Sequence, residues 1–207
     1  MTDTAATDTR TIILDAAAPL FARQGLDSTT IKEIGRTAGV NPALLYYYFA
    51  DKSALYEAVL ERLMTRFPTR LADAATLDVP PREALAAVIR MQAEIFLAEP
   101  LLPRLIAREL ADHEARHAAP VIRQHAQRLL GAITALIRRG QETGVFRRNL
   151  TPELAAVSCL SQINWYCIAG PAMDLILSRD NVARDPEMVR QFAEHVVEFT
   201  LAGLEQR

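Results

Sequence analysis

The most informative stretch of the chain runs from Leu26 to Leu55 and reads LDSTTIKEIGRTAGVNPALLYYYFADKSAL. In it, Thr30 and Glu33 have the spacing of a capping box, in which each side chain accepts a hydrogen bond from the other residue's backbone amide. This pair predicts a helix of two turns that ends near Ala38, because Gly39 then allows a tight turn.

A second short helix is predicted after this turn. Asn41 is a favourable N-cap, and Pro42 suits the first helical position because its missing N–H would have no partner there. The helix runs to Phe49, and Asp51 then caps a long helix that reaches about Ala75. Two short helices joined by a glycine turn are typical of a helix-turn-helix.

The remaining segments also show the spacing of amphipathic helices. Apolar residues between Thr9 and Gln24 recur every third or fourth position and stop at Gly25, and the polar residues 1–9 precede this helix as a frayed end. After Pro80, proline and glycine punctuation separates five further helical segments, near 82–98, 101–117, 121–143, 152–178 and 186–205. The sequence therefore predicts an all-α fold of about nine helices.

Composition narrows the class of protein. The 207 residues are 50% hydrophobic, which is enough to bury a core without disulfides. We predict a cytoplasmic protein, since no apolar run reaches the ~20 residues of a membrane span and residues 1–10 lack the basic-then-apolar order of a signal peptide. We predict no cofactor. Cys159 and Cys167 lie eight residues apart in an apolar stretch, which suits neither a disulfide framework nor a zinc ribbon, so we interpret them as core thiols. A redox sensor, the alternative, would require an exposed thiol.

The charge of the chain does not by itself indicate a nucleic-acid partner. The net charge is −2, and residues 1–55 carry five basic side chains against six acidic ones, a balance of −1. Affinity for DNA would have to come from the placement of a few side chains.

The order of residues in this stretch, with its lead-in Phe21–Gly25, closely resembles the DNA-binding domain of the tetracycline-repressor (TetR) family. The resemblance covers about residues 10–60. It implies a three-helix DNA-binding domain in residues 1–55 and an effector-binding and dimerisation domain in residues 56–207. The implied function is that of a homodimeric repressor released from palindromic operator DNA by an unknown small molecule, with an activator on the same fold left open.

The resemblance also implies which side chains contact DNA. The helix that starts at Pro42 enters the major groove, with Leu45 and Phe49 facing inward. Small and apolar side chains there would contact a thymine methyl, tyrosines and basic residues would reach phosphates, and Lys32 would read a base. The predicted contact residues are Thr30, Lys32, Asn41, Ala43, Leu44, Tyr46, Tyr47, Tyr48 and Lys52.

Two positions in this domain depart from the family pattern. Gly35 stands where alanine is common and costs about 1 kcal/mol of helix propensity, which predicts a loosened second helix. Leu44 stands where threonine or serine is common, so one polar contact is lost. Because of these departures, the resemblance does not predict the operator sequence.

The C-terminal helices carry the expected dimer and effector sites. By resemblance, residues 152–178 and 186–205 form the dimer interface, although their periodicity is equally compatible with monomer core. The Gly170-Pro171 pair should break the first of these helices. An effector pocket inside the bundle would be lined by Met91, Ile95, Phe96, Leu105, Arg108, Trp165 and Tyr166.

One motif favours an enzyme. His113, Glu114 and His117 match the H-E-x-x-H pattern of zinc hydrolases, in which two histidines one helical turn apart bind the metal and the glutamate is the base. We interpret the segment as a solvated helix end with no catalytic residue and no metal ligand, because Pro120 stands where the metzincin pattern has glycine. A metal-sensing effector site and a zinc-dependent hydrolase remain the alternatives.

Overall fold

A computed structural model describes the backbone of residues 2–205, and the side chains within that range apart from residues 2–8 and 66–68. The described backbone is helical throughout its regular elements and contains no β-strand. The all-α prediction is confirmed. One isolated antiparallel bridge pairs Phe146 with Glu205.

The chain divides into two compact units. The first contains Met1–Met64 and Arg104–Val121, and the second contains Thr65–Pro103 and Ile122–Arg207. The predicted domain boundary after residue 55 differs from this division in two ways. It falls inside the uninterrupted helix Lys52–Ala75, and it leaves Arg104–Val121 outside the first unit.

Six helices contribute to the first unit. They are α1 (Thr2–Ser28), α2 (Ile31–Ala38), α3 (Pro42–Tyr48), the start of α4 (Lys52–Ala75), most of α6 (Leu102–His113) and the short α7 (Ala119–Val121). The prediction that residues 1–9 precede the first helix is wrong, since α1 already begins at Thr2 and no glycine or proline interrupts residues 2–9. The helix is interrupted at the predicted stop, because Gly25 has φ 80° and ψ 176°, outside the helical region, and helical residues then resume as far as Ser28.

The core of the first unit forms where α1, α2, α3 and α4 meet. The rings of Phe21 and Tyr56 pack edge to face with their centroids 5.0 Å apart. Ile34, Leu45 and Phe49 are buried, as the helical periodicity predicts. A salt bridge of 2.7 Å between Arg62 and Asp15 further links α4 to α1.

The second unit is a helical bundle centred on α5 (Pro81–Ala98), which packs against α8 (Gln127–Glu142), α9 (Pro152–Ile168) and α11 (Pro186–Leu204). The predicted helix 121–143 instead contains a π-helical turn at Ile122–Ala126 before α8. The predicted helix 152–178 is broken before Gly170-Pro171, as expected, into α9 and α10 (Gly170–Leu177).

No helix within the described part of the chain is both long enough and apolar enough to cross a membrane.

Candidate nucleic-acid interface

The turn between α2 and α3 depends on glycine at two positions. Gly39 has φ 68° in the left-handed region, and the backbone N–H of Val40 donates to the carbonyl of Gly35 over 2.9 Å. A Cβ on Gly35 would lie only 3.0 Å from the Val40 carbonyl oxygen and 3.4 Å from Cγ of Pro42. Gly35 therefore lets the turn approach α2 closely, a packing role that offsets its helix-propensity cost.

Both predicted N-caps in this region form. The Asn41 side chain accepts a 2.9 Å hydrogen bond from the Ala43 N–H, and Thr30 Oγ1 accepts one of 3.1 Å from the Glu33 N–H. The other half of the capping box does not form. The Glu33 carboxylate instead accepts hydrogen bonds from Gln24 Nε2 at 2.7 Å and from Arg23 Nη2 at 3.5 Å. Glu33 thus links α2 to α1.

The outer face of α3 presents apolar and aromatic side chains to solvent. Tyr47 is 78% exposed and Tyr46 57% exposed, with Ala43 and Leu44 also exposed beside them. The Tyr47 and Tyr48 rings contact edge to face at 5.0 Å. Because Leu45 on the inner face is buried, the side of α3 that faces solvent is fixed.

A shallow depression lies beside α3 on the same unit. It is lined by Thr30, Lys32, Glu33, Arg36, Val40 and Pro42. Lys32 and Arg36 are exposed and lie four residues apart on α2, so both cations border this depression. Arg36 is not among the predicted contact residues, although its i, i+4 spacing from Lys32 is visible in the sequence.

Lys52 is held by the protein itself. Its Nζ donates to the carbonyl oxygens of Asp27 at 3.0 Å and Thr29 at 2.9 Å. An ammonium group has three N–H donors, so one remains for a phosphate. Lys52 thus joins the start of α4 to the last residues of α1 and to Thr29 just after it.

The predicted effector-binding residues are placed in different environments. In the second unit, Ile95, Phe96 and Tyr166 are buried and Met91 is half-buried, whereas Trp165 is 65% exposed on the outer face of α9. The Tyr166 hydroxyl donates to the Val182 carbonyl over 3.0 Å, and burial raises the pKa of this phenol.

The other two predicted effector-binding residues, Leu105 and Arg108, belong to the first unit. Leu105 is fully buried there. The Arg108 guanidinium donates to the carbonyl oxygens of Arg23 at 2.8 Å and Ala22 at 3.4 Å. Arg108 therefore carries a structural link from α6 to α1.

A buried polar side chain that the sequence reasoning missed lies in the second unit. Gln92 is completely buried on α5, and its Nε2 donates at 2.8 Å to both the Leu160 carbonyl and Asn164 Oδ1. Its Oε1 has no hydrogen-bond partner among the described residues, which is costly for a buried acceptor. The signal was available, since Gln92 interrupts the otherwise apolar inner stripe of α5.

Burial distinguishes the two cysteines from sensor thiols. Cys159 is buried and Cys167 is partly so, and neither forms a disulfide. Burial raises the pKa of each thiol to about 12, so both stay protonated near neutral pH.

The H-E-x-x-H segment does not form the helical pair that a zinc hydrolase needs. Helix α6 ends at His113, and Glu114 and Ala115 follow with φ 52° and 62° in the left-handed region. Glu114 is exposed, whereas the His117 side chain is only 13% exposed. The geometry does not support the hydrolase alternative, and the helix does end within this segment, with Glu114 and Arg116 exposed and the His117 side chain turned inward.

Exposed apolar side chains gather on the C-terminal helices of the second unit. Trp165 and Phe199 are each 65% exposed. The remaining members of this apolar face are Leu154 and Val157 on α9 and Leu175, Ile176 and Leu177 on α10. So many large apolar groups on neighbouring helices are typical of a protein contact surface.

Comparison with known proteins gives matches to family models in both parts of the chain. Residues 13–59 match the model of bacterial regulatory proteins of the tetR family, and residues 81–200 match the tetracyclin repressor-like C-terminal domain. The transcriptional repressor NicS of Pseudomonas putida is 28% identical over 144 residues, which span 69% of this chain and 68% of NicS. The regulator BetI of Rhizobium meliloti is 32% identical over 115 residues, which span 56% of this chain and only 55% of BetI.

Solved structures resemble the whole fold. FadR of Bacillus subtilis in complex with stearoyl-CoA has a TM-score of 0.73 at 19% identity, covering 93% of this chain and 98% of FadR. The ketosteroid transcriptional regulator KstR2 of Mycobacterium tuberculosis has a TM-score of 0.72 at 21% identity, covering 96% of this chain and 95% of KstR2. Because the C-terminal family model alone spans more than half of the residues, the chain belongs to the TetR family of DNA-binding transcriptional regulators.

Proposed function

We propose that the protein binds palindromic operator DNA as a homodimer, represses transcription, and is released when a small molecule binds its helical domain. The observation that carries this proposal is the outer face of α3, where Tyr46 and Tyr47 are exposed while Leu45 is buried. Large aromatic groups held in solvent on a capped, rigid helix are suited to contact another molecule. NicS, a matched relative, is named as a repressor.

The side chains around α3 divide into two roles. Ala43 and Leu44 offer apolar contact to a thymine methyl, and exposed Lys32 offers a charged donor to a base edge. The hydroxyls of Tyr46 and Tyr47 and the Arg36 guanidinium would donate to phosphates and fix the register. Thr30 and Asn41 use their oxygens as caps, which leaves the Thr30 O–H and the Asn41 NH₂ group as donors.

Gln92 supports an effector site inside the second unit. Its buried Oε1 lacks a partner in the described structure, so a ligand with a hydrogen-bond donor would satisfy it. Ile95, Phe96 and Tyr166 supply apolar surface in the same unit. FadR, whose fold this chain shares, was solved in complex with stearoyl-CoA, and this supports a small-molecule effector for the present chain.

The DNA-binding proposal is tested by fluorescence anisotropy on DNA from the protein's own upstream region and on a random-sequence library, across a salt series. We expect both Tyr47→Ala and Lys32→Ala to weaken DNA binding. For Lys32, which is proposed to read a base edge, the expected loss is about 1–3 kcal/mol. Arg128→Ala is the matched control, because Arg128 is an exposed cation on α8 of the second unit. Lys52→Ala is a poor probe, since it also removes two internal hydrogen bonds.

Equal losses in Arg128→Ala and Lys32→Ala would show that only bulk charge matters, and would contradict the role of α2 and α3. If the wild type bound neither the upstream DNA nor any member of the library, the DNA-binding proposal itself would be wrong.

A further inference from the structure

The broken H-E-x-x-H segment brings its two histidines together with a different carboxylate. Glu109, His113 and His117 each offer one ligand atom, and these three atoms all lie within 4.8 Å of one another. We propose that Glu109, His113 and His117 form a binding site for a divalent transition-metal ion of the zinc class. This site is independent of the proposed DNA and effector functions.

The backbone between the histidines folds back to create this cluster. The N–H of Ala115 donates to the Glu109 carbonyl, and the N–H of Arg116 donates to the His113 carbonyl, each over 3.0 Å. The resulting turn places the His113 and His117 rings perpendicular with centroids 4.7 Å apart. Two consecutive non-glycine residues with positive φ, Glu114 and Ala115, are unfavourable and persist only where the surroundings hold them.

The Glu109 carboxylate is held rigidly in the interior of the first unit. Glu109 is only 2% exposed, and its Oε1 accepts hydrogen bonds from the N–H groups of His117 at 2.7 Å and Ala118 at 3.0 Å. The Tyr56 hydroxyl lies next to the Glu109 carboxylate, and the Tyr56 ring packs edge to face against the His117 ring with centroids 5.5 Å apart. Such outer partners orient metal-binding carboxylates.

The second carboxylate oxygen is available to a metal ion. Oε2 of Glu109 lies 3.4 Å from Nδ1 of His117, which is long for a hydrogen bond. Two tetrahedral ligands that are each about 2.0–2.1 Å from zinc are separated by roughly this distance. The pair is therefore already spaced to share an ion.

His113 supplies the third ligand. Its ring contacts the His117 ring and also the Tyr56 ring, whose centroid is 6.1 Å away. No hydrogen bond identified among the described residues ends on its nitrogens. Two imidazoles and one carboxylate favour zinc-class ions over magnesium or calcium, which prefer oxygen ligands alone. Three protein ligands also leave a fourth position for water or another molecule.

The test uses the full-length protein without a histidine tag, stripped with EDTA and desalted. Titration with Co²⁺ should give the visible absorption of a tetrahedral site at one ion per chain, and Zn²⁺ should displace it. We expect His113→Ala and His117→Ala to weaken binding more than about 100-fold, since loss of even an outer partner costs about 10–100-fold. Tyr56→Phe, which removes only the hydroxyl beside Glu109, should weaken binding within that smaller range.

His125→Ala and His195→Ala are the matched controls, since they remove the remaining two histidines of the chain and should leave the Co²⁺ spectrum unchanged. If neither Co²⁺ nor Zn²⁺ binds, or if His113→Ala binds as tightly as the wild type, the proposal is overturned and Glu109 serves only to cap the following backbone. Should His117→Ala lose its helical circular dichroism, His113→Ala decides alone, because no hydrogen bond found within the described part of the chain ends on the His113 ring.

Discussion

At the scale of single residues, Gly140 makes room for a buried ring. A Cβ at this position would overlap the Phe146 ring, which is completely buried. We expect Gly140→Ala to destabilise the protein by about 1–3 kcal/mol, because the ring would have to move within a packed core. Urea denaturation followed by circular dichroism measures the effect.

Gly131, on the same helix, is the matched control for Gly140. A Cβ there meets no atom within 4 Å, and the residue is exposed. Gly131→Ala should therefore stabilise the protein by about 0.5–1 kcal/mol through helix propensity. A Gly140→Ala protein that gains as much stability as Gly131→Ala would refute the packing role of Gly140.

Also at this scale, sequence reasoning finds side chains whose partners are local. The Asn41 cap and the burial of Leu45 follow from rules that reach only a few residues along the chain. The partners of Glu33 and Lys52 could not be predicted in this way. Gln24 precedes Glu33 by nine residues, and Asp27 precedes Lys52 by twenty-five, so both contacts depend on how helices pack.

At the scale of helices, two reciprocal ion pairs join α5 to α11. Arg90 donates to both oxygens of Glu194 at 2.6 and 2.7 Å, and Arg190 donates to both oxygens of Glu94 at 2.7 and 3.2 Å. These hydrogen bonds lower the pKa of Glu194 and Glu94. All four side chains are about half exposed, so the stabilisation is small.

The lowered pKa values of Glu94 and Glu194 predict the direction of a pH effect. Stability from each pair is fully present above the ordinary glutamate pKa of about 4.3, and is lost as the pH falls through the lower folded value. Between pH 7 and about 3, the urea midpoint of the wild type should fall further than that of a Glu94→Gln, Glu194→Gln double variant. Glu198→Gln, an exposed position on α11, should behave like the wild type, and equal falls in all three proteins would exclude a role for the pairs.

The ends of most helices could be predicted from caps and proline, whereas the end of α6 could not. No glycine or proline lies between Arg104 and Ala119, so the sequence predicts a helix that continues to His117. The helix stops at His113 because Glu114 and Ala115 adopt left-handed conformations. Two of the N–H groups beyond this break bind the Glu109 carboxylate, a contact that periodicity does not reveal.

At the scale of the whole molecule, the assignment of Arg104–Val121 to the first unit was not visible in the sequence. Proline punctuation predicts where helices begin but not which unit they join. The Arg108 guanidinium donates to the carbonyls of Ala22 and Arg23 near the end of α1, and the Tyr56 hydroxyl lies next to Glu109. These contacts attach the end of α6 to the DNA-binding helices.

The apolar face of α9, α10 and α11 predicts the oligomeric state. Trp165 and Phe199 are largely exposed in the single chain, and burying them against a second copy would remove apolar surface from water. We expect the wild type to sediment at twice 22.9 kDa, and Trp165→Glu or Phe199→Glu to sediment near 22.9 kDa with unchanged circular dichroism. Leu77→Glu, an exposed apolar position outside these helices, should leave the dimer intact.

The same variants connect assembly to DNA binding. A dimer presents two copies of α3 to two half-sites, so a monomeric variant should lose affinity for a palindrome while its α3 surface is unchanged. Binding to a single half-site should then be equal in the wild type and Phe199→Glu. A monomeric wild type would contradict the predicted dimer. If Trp165→Glu and Phe199→Glu both remained dimeric, the interface would lie elsewhere than on this apolar face.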